Sequence, residues 1–512
     1  MTSGPKKHHI RINLIILGIL IFLGIILSVD LYPGKPEITY TFAIALLMAF
    51  WWVSEAIPIG ITSFLPLILF PLLGVLNGRE VASVYINDVI FLFIGGFLMA
   101  LAMEKWDLHK RIALKVLSIV GGSPFMILFG FMFSSAFLSM WMSNTATTMM
   151  MLPIAFSVSN ALEEVHGPDK IKNYLAGLLL SVAYACSIGG ISTLVGTPPN
   201  LSFLRIFSIL YPESPSISFG QWIAFAFPIT VVMFFFTLCL IYKIYKPKQK
   251  IRKLDKSFFN DQYMALGKTR SEEKKVFILF LLLVVLWVFR SNINLGFITI
   301  SGWSSLFNTP SFITDGTVSI FIAILLFIIP SSKKSVALLT WEITKKMPWS
   351  IVFLFGGGFA LAKGFVDSGL SNYAGSLLSG ASALSPTLLI GTLTGLMSML
   401  TEFTSNTATT EMILPVISGL ANEIGINPLL IMIPVTLAAS LAFMLPIATP
   451  PNAIAFSTGK LTIAQMIKTG FIINIFAIII ISFFTITWGT IIFNIDPAIF
   501  PDWAQQVINS NP

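Results

Sequence analysis

The chain has 512 residues, 55% of them hydrophobic and only 11% charged, with a mean hydropathy of +0.87 and a net charge of +8. Soluble globular proteins carry about 25% charged residues, so this composition excludes one; two cysteines likewise exclude a disulfide-stapled secreted fold. The basic excess sits in loops rather than on one face, which argues against a nucleic-acid partner, and the chain reads as an all-α polytopic membrane protein.

Lys6, Lys7 and Arg11 precede an apolar run from about 12 to 29 that has no small-residue cleavage site near its end. It is therefore kept as a first transmembrane helix rather than a removed signal. Runs long enough for a hydrocarbon core of about 30 Å recur near 40–57, 60–77, 88–104, 175–209, 222–243, 276–290, 312–330, 350–366, 428–456 and 470–494. Two of these, 175–209 and 428–456, are too long for one straight span and contain Pro-Pro. The stretches 123–160 and 382–420 are apolar but break at polar residues in the middle, as re-entrant hairpins do. Non-helical backbone at that depth is tolerated only inside protein or beside a wet cavity. The expectation is 11 transmembrane helices plus two re-entrant hairpins.

Loop charges orient these spans. Lys105, Lys110, Arg111 and Lys115 follow span four, and a run from Lys243 to Lys275 follows span six. Lys333, Lys334, Lys345 and Lys346 follow span eight, whereas the loops near 31–39, 78–87, 210–221 and 291–311 hold only Lys35 and Arg79. The positive-inside bias gives an N-in, C-out topology. Residues 246–274 read as a basic, solvated cytoplasmic linker, and 495–512 as an external tail.

The two halves repeat. Ser143-Asn144-Thr145-Ala146-Thr147-Thr148 recurs letter for letter at Ser405 to Thr410, 262 positions later. At the same offset Phe91-Leu92-Phe93 pairs with Phe353-Leu354-Phe355, and Gly95-Gly96-Phe97 with Gly357-Gly358-Phe359. Thr197-Pro198-Pro199-Asn200 recurs at Thr449-Pro450-Pro451-Asn452, 252 positions later. After residues 1–39 (the N-terminus and first span), each repeat, 40–245 and 275–494, carries five spans. Five is odd, so the second copy must run through the membrane upside down. Inverted repeats with broken helices at matching places mark secondary transporters, whose site lies near the bilayer midplane.

The motifs have a chemistry of their own. Proline lacks an N–H and clashes with the preceding turn, so each Pro-Pro interrupts its helix and strips partners from the carbonyls before it. Those carbonyls need a ligand, such as a cation or water. At the hairpin tips a new half-helix starts, with free N–H groups and a partial positive charge. Ser, Asn and Thr at such a start are also ordinary N-caps; duplication opposite duplicated Pro-Pro breaks points instead to a site. Asn144, Asn406, Thr145 and Thr407 can donate to a carboxylate, and their oxygens can coordinate a hard cation. None of the four motifs contains Lys or Arg, so neutral dipoles would hold the anion and a co-bound cation such as sodium would offset its charge. Two half-sites favour a dicarboxylate. Glu402 and Glu411 read as structural or cavity-edge groups and Glu55 as part of a cytoplasmic turn, whereas Arg205, which follows the first Pro-Pro break, is not read as a substrate contact. No phosphate-binding loop, nucleophile elbow or metal constellation is present, so an enzyme has no carrier. A channel would require an open pore and a ring of filter residues.

The paired Ser-Asn-Thr tips, paired Thr-Pro-Pro-Asn segments, Gly-Gly-Phe spans and the stretch Phe137 to Met142 resemble the divalent-anion:sodium symporter family of citrate and dicarboxylate transporters. The resemblance covers nearly the whole chain. It implies a homodimer in a plasma membrane, such as a bacterial cytoplasmic membrane, with a dimerising scaffold and an elevator-like transport domain. The latter would contain the hairpins, the broken spans and spans six and eleven. It implies substrate contacts at Asn144, Thr145, Thr197, Pro198, Asn406, Thr407, Thr449 and Pro450. One sodium site would use Ser139, Asn144 and Gly196, and a second Thr401, Thr404, Asn406 and Ala448. No other cofactor is implied. Thr404 stands where relatives often have Ala, and the family also contains sodium-independent exchangers, so both coupling modes stay open for C4/C5 dicarboxylates such as succinate, malate and 2-oxoglutarate.

Overall fold

The computed structural model describes residues 11–120, 122–247, 256–332 and 336–505; Lys6, Lys7, Lys333, Lys334 and the basic linker residues within 248–255 lie outside them. The described chain is mostly helical. Among the described residues, six helices can cross a bilayer by length and composition: Pro36–Ser54, Gly78–Lys105 (divided at Asn87), Pro168–Gly190, Phe219–Tyr245, Trp349–Ser368 and Ile463–Ile492. Shorter apolar helices at Ile12–Ser28, Ile59–Leu72, Pro124–Ser139, Asp315–Ile328, Pro386–Leu400 and Leu429–Ala439 pack among them.

Two expected stretches differ. Residues 60–77 do not form one straight helix but divide into Ile59–Thr62 and Leu65–Leu72. Ser63 Oγ bonds back to the Ile59 carbonyl at 2.8 Å, and Pro66 sits in the first turn of the second piece, where no N–H is needed. The linker 246–274 is not wholly a solvated loop: Lys256–Ala265 is helical and packs on a helix at Leu108–Val120. Phe259 is buried there, and the rings and carbonyls of the linker surround Arg111, which pairs with Glu273 and donates to Gly267 O at 3.1 Å.

Both polar-tipped stretches are two helices joined by a turn. Pro124–Ser139 leads through 140–143 into Asn144–His166, and Pro386–Leu400 leads through 401–405 into Asn406–Ile424. The first arms have 16 and 15 residues. At 1.5 Å per residue they reach roughly 24 Å, short of a hydrocarbon core of about 30 Å. Ser143 caps its helix, accepting from Ala146 N at 3.1 Å; Ser405 makes no such bond.

The glycine-rich helices pack reciprocally. A Cβ at Gly95 would meet Ser319 Cβ at 2.5 Å, and one at Gly357 would meet Ser63 Cβ at 2.7 Å. Span four thus approaches span eight through a glycine, and span nine approaches span three through the matching glycine. The same kind of glycine contact thus occurs in both halves of the chain. Pro168–Gly190 is the most enclosed long helix, packed against both arms of the first hairpin and against Phe219–Tyr245.

Candidate functional site

The two hairpin tips and the two Pro-Pro breaks converge on one cavity of about 550 Å³. The breaks form locally. Pro168–Gly190 ends, the chain runs irregularly through 191–197, and Pro198–Leu210 restarts with proline in its first turn. In the second repeat Leu429–Ala439 ends, 440–449 is irregular, and Pro450–Phe456 restarts. Asn144, Thr145, Gly196, Thr197, Pro198, Thr404, Asn406, Thr407, Ala448, Thr449 and Pro450 all line the cavity. The lining also includes Trp52, Glu55, Phe93, Phe97, Ser350 and Leu354. Among the described residues, no Lys or Arg lines the cavity.

Ser139 and Thr401 stand one layer behind. Ser139 Oγ donates to Asn144 Oδ1 at 2.5 Å, and Thr401 Oγ1 donates to Asn406 Oδ1 at 2.6 Å. Each amide oxygen is therefore held by a buried hydroxyl, which orients the amide N–H₂. The Thr148 and Thr410 hydroxyls bond the Asn144 and Asn406 carbonyls at 2.8 and 2.7 Å. The repeat is thus preserved down to individual hydrogen bonds. Thr404 Oγ1 turns to Leu400 O (2.8 Å) and Thr409 Oγ1 (2.6 Å), so its extra hydroxyl is satisfied within the hairpin.

Three features go beyond the sequence reading. First, the carbonyls freed by the Pro-Pro breaks are not all left for a ligand. Asn200 Nδ2 donates to Thr193 O at 2.7 Å, and Asn452 Nδ2 to Leu445 O at 3.1 Å, the same bond at the same 252-residue offset. Trp222 Nε1 takes Ile191 O at 3.1 Å. The fourth letter of Thr-Pro-Pro-Asn closes the break, a role the repetition signalled without revealing. Second, the repeats differ beneath their tips. The Glu402 carboxylate, fully buried, accepts from the backbone N–H groups of Phe443, Met444 and Leu445 and from Asn474 Nδ2, all between 2.8 and 3.1 Å. Met140 stands at the matching place, and there its carbonyl accepts from Thr193 Oγ1 at 2.5 Å instead. A charge thus orders the second, longer break and a hydroxyl the first. Glu411 is equally buried and accepts from Ser202 Oγ at 3.0 Å. Third, two charged residues line cavities that the sequence does not assign to them. Glu55 does end a helix, in a left-handed conformation with φ 47°, but it lines the central cavity. Arg205 lines a different cavity altogether.

The architecture and the anion-sized, dipole-lined cavity belong to a multi-pass membrane transporter. The family model described as "Sodium:sulfate symporter transmembrane region" matches residues 9–495, and the chain belongs to this family, the divalent-anion:sodium symporters. It is similar to the sodium-dependent dicarboxylate transporter SdcS of Staphylococcus saprophyticus, 40% identical over 94% of this chain and 93% of that one. It is also similar to the Na⁺/citrate cotransporter of Rattus norvegicus, 39% identical over 90% and 92%. Among solved structures, the Alcanivorax borkumensis YdaH transporter matches with a TM-score of 0.55, 13% identity, and coverage of 88% of this chain and 99% of that one. Neisseria gonorrhoeae MtrF matches at 0.54 with 12% identity, covering 94% and 98%; at such identities the likeness is one of fold alone. The protein is a transporter rather than an enzyme, and a multi-pass protein of the plasma membrane.

Proposed function

We propose that the protein carries C4/C5 dicarboxylates across the membrane together with sodium. The observation that carries this reading is the matched pair of asparagines, Asn144 and Asn406, lining one cavity that has no cationic side chain among the described residues. Two matched sets of neutral donors fit two carboxylates on one small molecule. A dianion at membrane depth leaves its charge uncompensated, and hydroxyl, amide and break carbonyl oxygens around each tip fit sodium as the counter-charge. The names of both relatives, a sodium-dependent dicarboxylate transporter and a sodium/citrate cotransporter, agree with this.

In this reading Asn144, Thr145, Thr197, Pro198, Asn406, Thr407, Thr449 and Pro450 contact substrate. Ser139, Gly196, Thr401, Thr404 and Ala448 complete the ion sites with the two asparagines. The hairpins and broken helices form an elevator that moves against a scaffold, which pairs with a second copy. With the N-terminus cytoplasmic, Glu55 and Ser350 mark the inner ends of their helices, and the cavity faces the cytoplasm.

Uptake of labelled succinate, malate, 2-oxoglutarate and citrate into proteoliposomes tests this. Uptake driven by a sodium gradient into vesicles without internal dicarboxylate is expected. Uptake that ignores sodium but requires internal malate or 2-oxoglutarate would make the protein an exchanger and remove the ion assignments.

A further inference from the structure

A second cavity, of about 590 Å³, lies further along the same two helices that wall the first. Helix Asp88–Lys105 presents Phe93 and Phe97 to the central cavity and Asp88, Val89 and Leu92 to this one. Helix Pro198–Leu210 presents Pro198 and Pro199 to the first and Arg205, Phe207 and Ser208 to the second. Seven residues separate Pro198 from Arg205, about 10 Å at 1.5 Å per residue. Under the N-in topology, the second cavity opens toward the outside, where the exposed side chains of Asp88 and Ser208 lie.

Two arginines line it, and they differ in what they hold. Arg290 is committed: it pairs with Asp315, donates to Ile313 O at 2.8 Å, and Asp315 in turn accepts from Phe219 N at 3.0 Å. Arg205 is not. Among the described residues its one side-chain hydrogen bond goes from Nη1 to Ser208 Oγ at 3.3 Å, Nε is buried without a partner, and no ion pair forms. Asp88 lines the same cavity, yet among the described residues it does not pair with Arg205. Around this cation, Gln221 and Asn292 use their amide oxygens to accept from Ser218 N and Gly302 N, which leaves their N–H₂ groups as donors.

We propose that this outer cavity is a second carboxylate-binding site, in which Arg205 receives a small dicarboxylate arriving from outside. The inference rests on the transport function proposed above and adds a station to its path. A central site built only of neutral dipoles exerts little long-range pull on a dianion, whereas a guanidinium in a walled cavity focuses its field on the entrance. The guanidinium fork also matches a carboxylate's two oxygens. Arg205 shares a helix with the Thr197–Pro198 break, so the outer station stays in register with the central site when that helix moves. Asp88 sits on the other helix and competes for Arg205 while the site is empty.

The test is external KM and kcat for succinate in cells expressing Arg205→Gln, Arg205→Lys or Asp88→Asn protein. Losing a charged hydrogen-bond donor corresponds to about tenfold or more in affinity. Arg205→Gln should therefore raise external KM about tenfold with kcat changed less than twofold, Arg205→Lys should recover part of it, and Asp88→Asn should lower KM. Opposite signs for the two charge removals are the signature of an anion site with a competing carboxylate. If Arg205 and Asp88 merely latch two helices together, both removals change turnover in the same direction and leave KM in place, which overturns the proposal. An unchanged KM in Arg205→Gln also overturns it. A second measurement separates this site from the central one: Asn144→Ala/Asn406→Ala protein in nanodiscs should retain weak, salt-sensitive succinate binding that Arg205→Gln abolishes. No residual binding counts against the outer site; normal transport by the double Asn variant counts against the central one.

Discussion

Replacing Asn144 or Asn406 by Ala removes equivalent amides but leaves different debts behind. Both asparagines line the cavity where a carboxylate would sit. A lost hydrogen bond to a charged group is about 1.5–3 kcal/mol, or about ten- to a hundredfold in Kd, and should be alike for both variants. Stability should not be alike. In the first repeat, Ser139 Oγ is fully buried and donates to Asn144 Oδ1, so losing that oxygen leaves the hydroxyl without its acceptor among the described residues. In the second, Thr401 Oγ1 already has Ala439 O at 2.7 Å as an alternative acceptor when Asn406 Oδ1 is gone. An orphaned buried hydroxyl costs about 1–3 kcal/mol, so Asn144→Ala should unfold at lower temperature than Asn406→Ala. Labelled-succinate binding in detergent reads the first quantity and thermal unfolding the second. Wild-type affinity in both variants would refute the assignment of the tips, and equal melting temperatures would refute the acceptor argument.

Glu402→Gln replaces one of two accepting oxygens with a donor that faces backbone N–H groups; melting temperature should fall sharply and its rise on adding sodium should shrink, whereas a wild-type melt sinks the idea that this carboxylate orders the second break. Gly189→Ala would drive a Cβ into the backbone of Ala136 in the first hairpin, while Gly391→Ala meets nothing within 4 Å. The first should abolish folded yield, and the second should hold or raise stability by up to about 1 kcal/mol; equal thermal stability of the two would contradict the packing. For topology, in a background lacking Cys186 and Cys239, the exposed sites Lys115→Cys and Ser379→Cys should react with impermeant thiol reagent from the cytoplasm and from outside respectively. Reaction of both from one side would rule out inverted repeats.

Much of this molecule is local and so was legible in the chain. A helix buried in lipid must be apolar throughout, which makes hydropathy runs readable. Pro-Pro breaks a helix wherever it stands, and a letter-perfect repeat at Ser143 and Ser405 marks equivalent surroundings. The four motif segments that these rules single out lie together on one cavity. What the sequence withheld depends on through-space closure. Which break carbonyl is free is decided by whether Asn200 or Asn452 reaches it across an irregular segment, and by a tryptophan 31 positions away at Trp222. Glu402 reads as an unremarkable carboxylate until the 443–445 amides fold onto it, 41 to 43 positions later. Glu55 and Arg205 each carry a charge that composition assigns to no cavity. Only the packing of helix 88–105 against helix 198–210 places one end of that seam on the central site and the other on Arg205, because contact between distant helices is set by side-chain fit rather than by any periodicity along the chain.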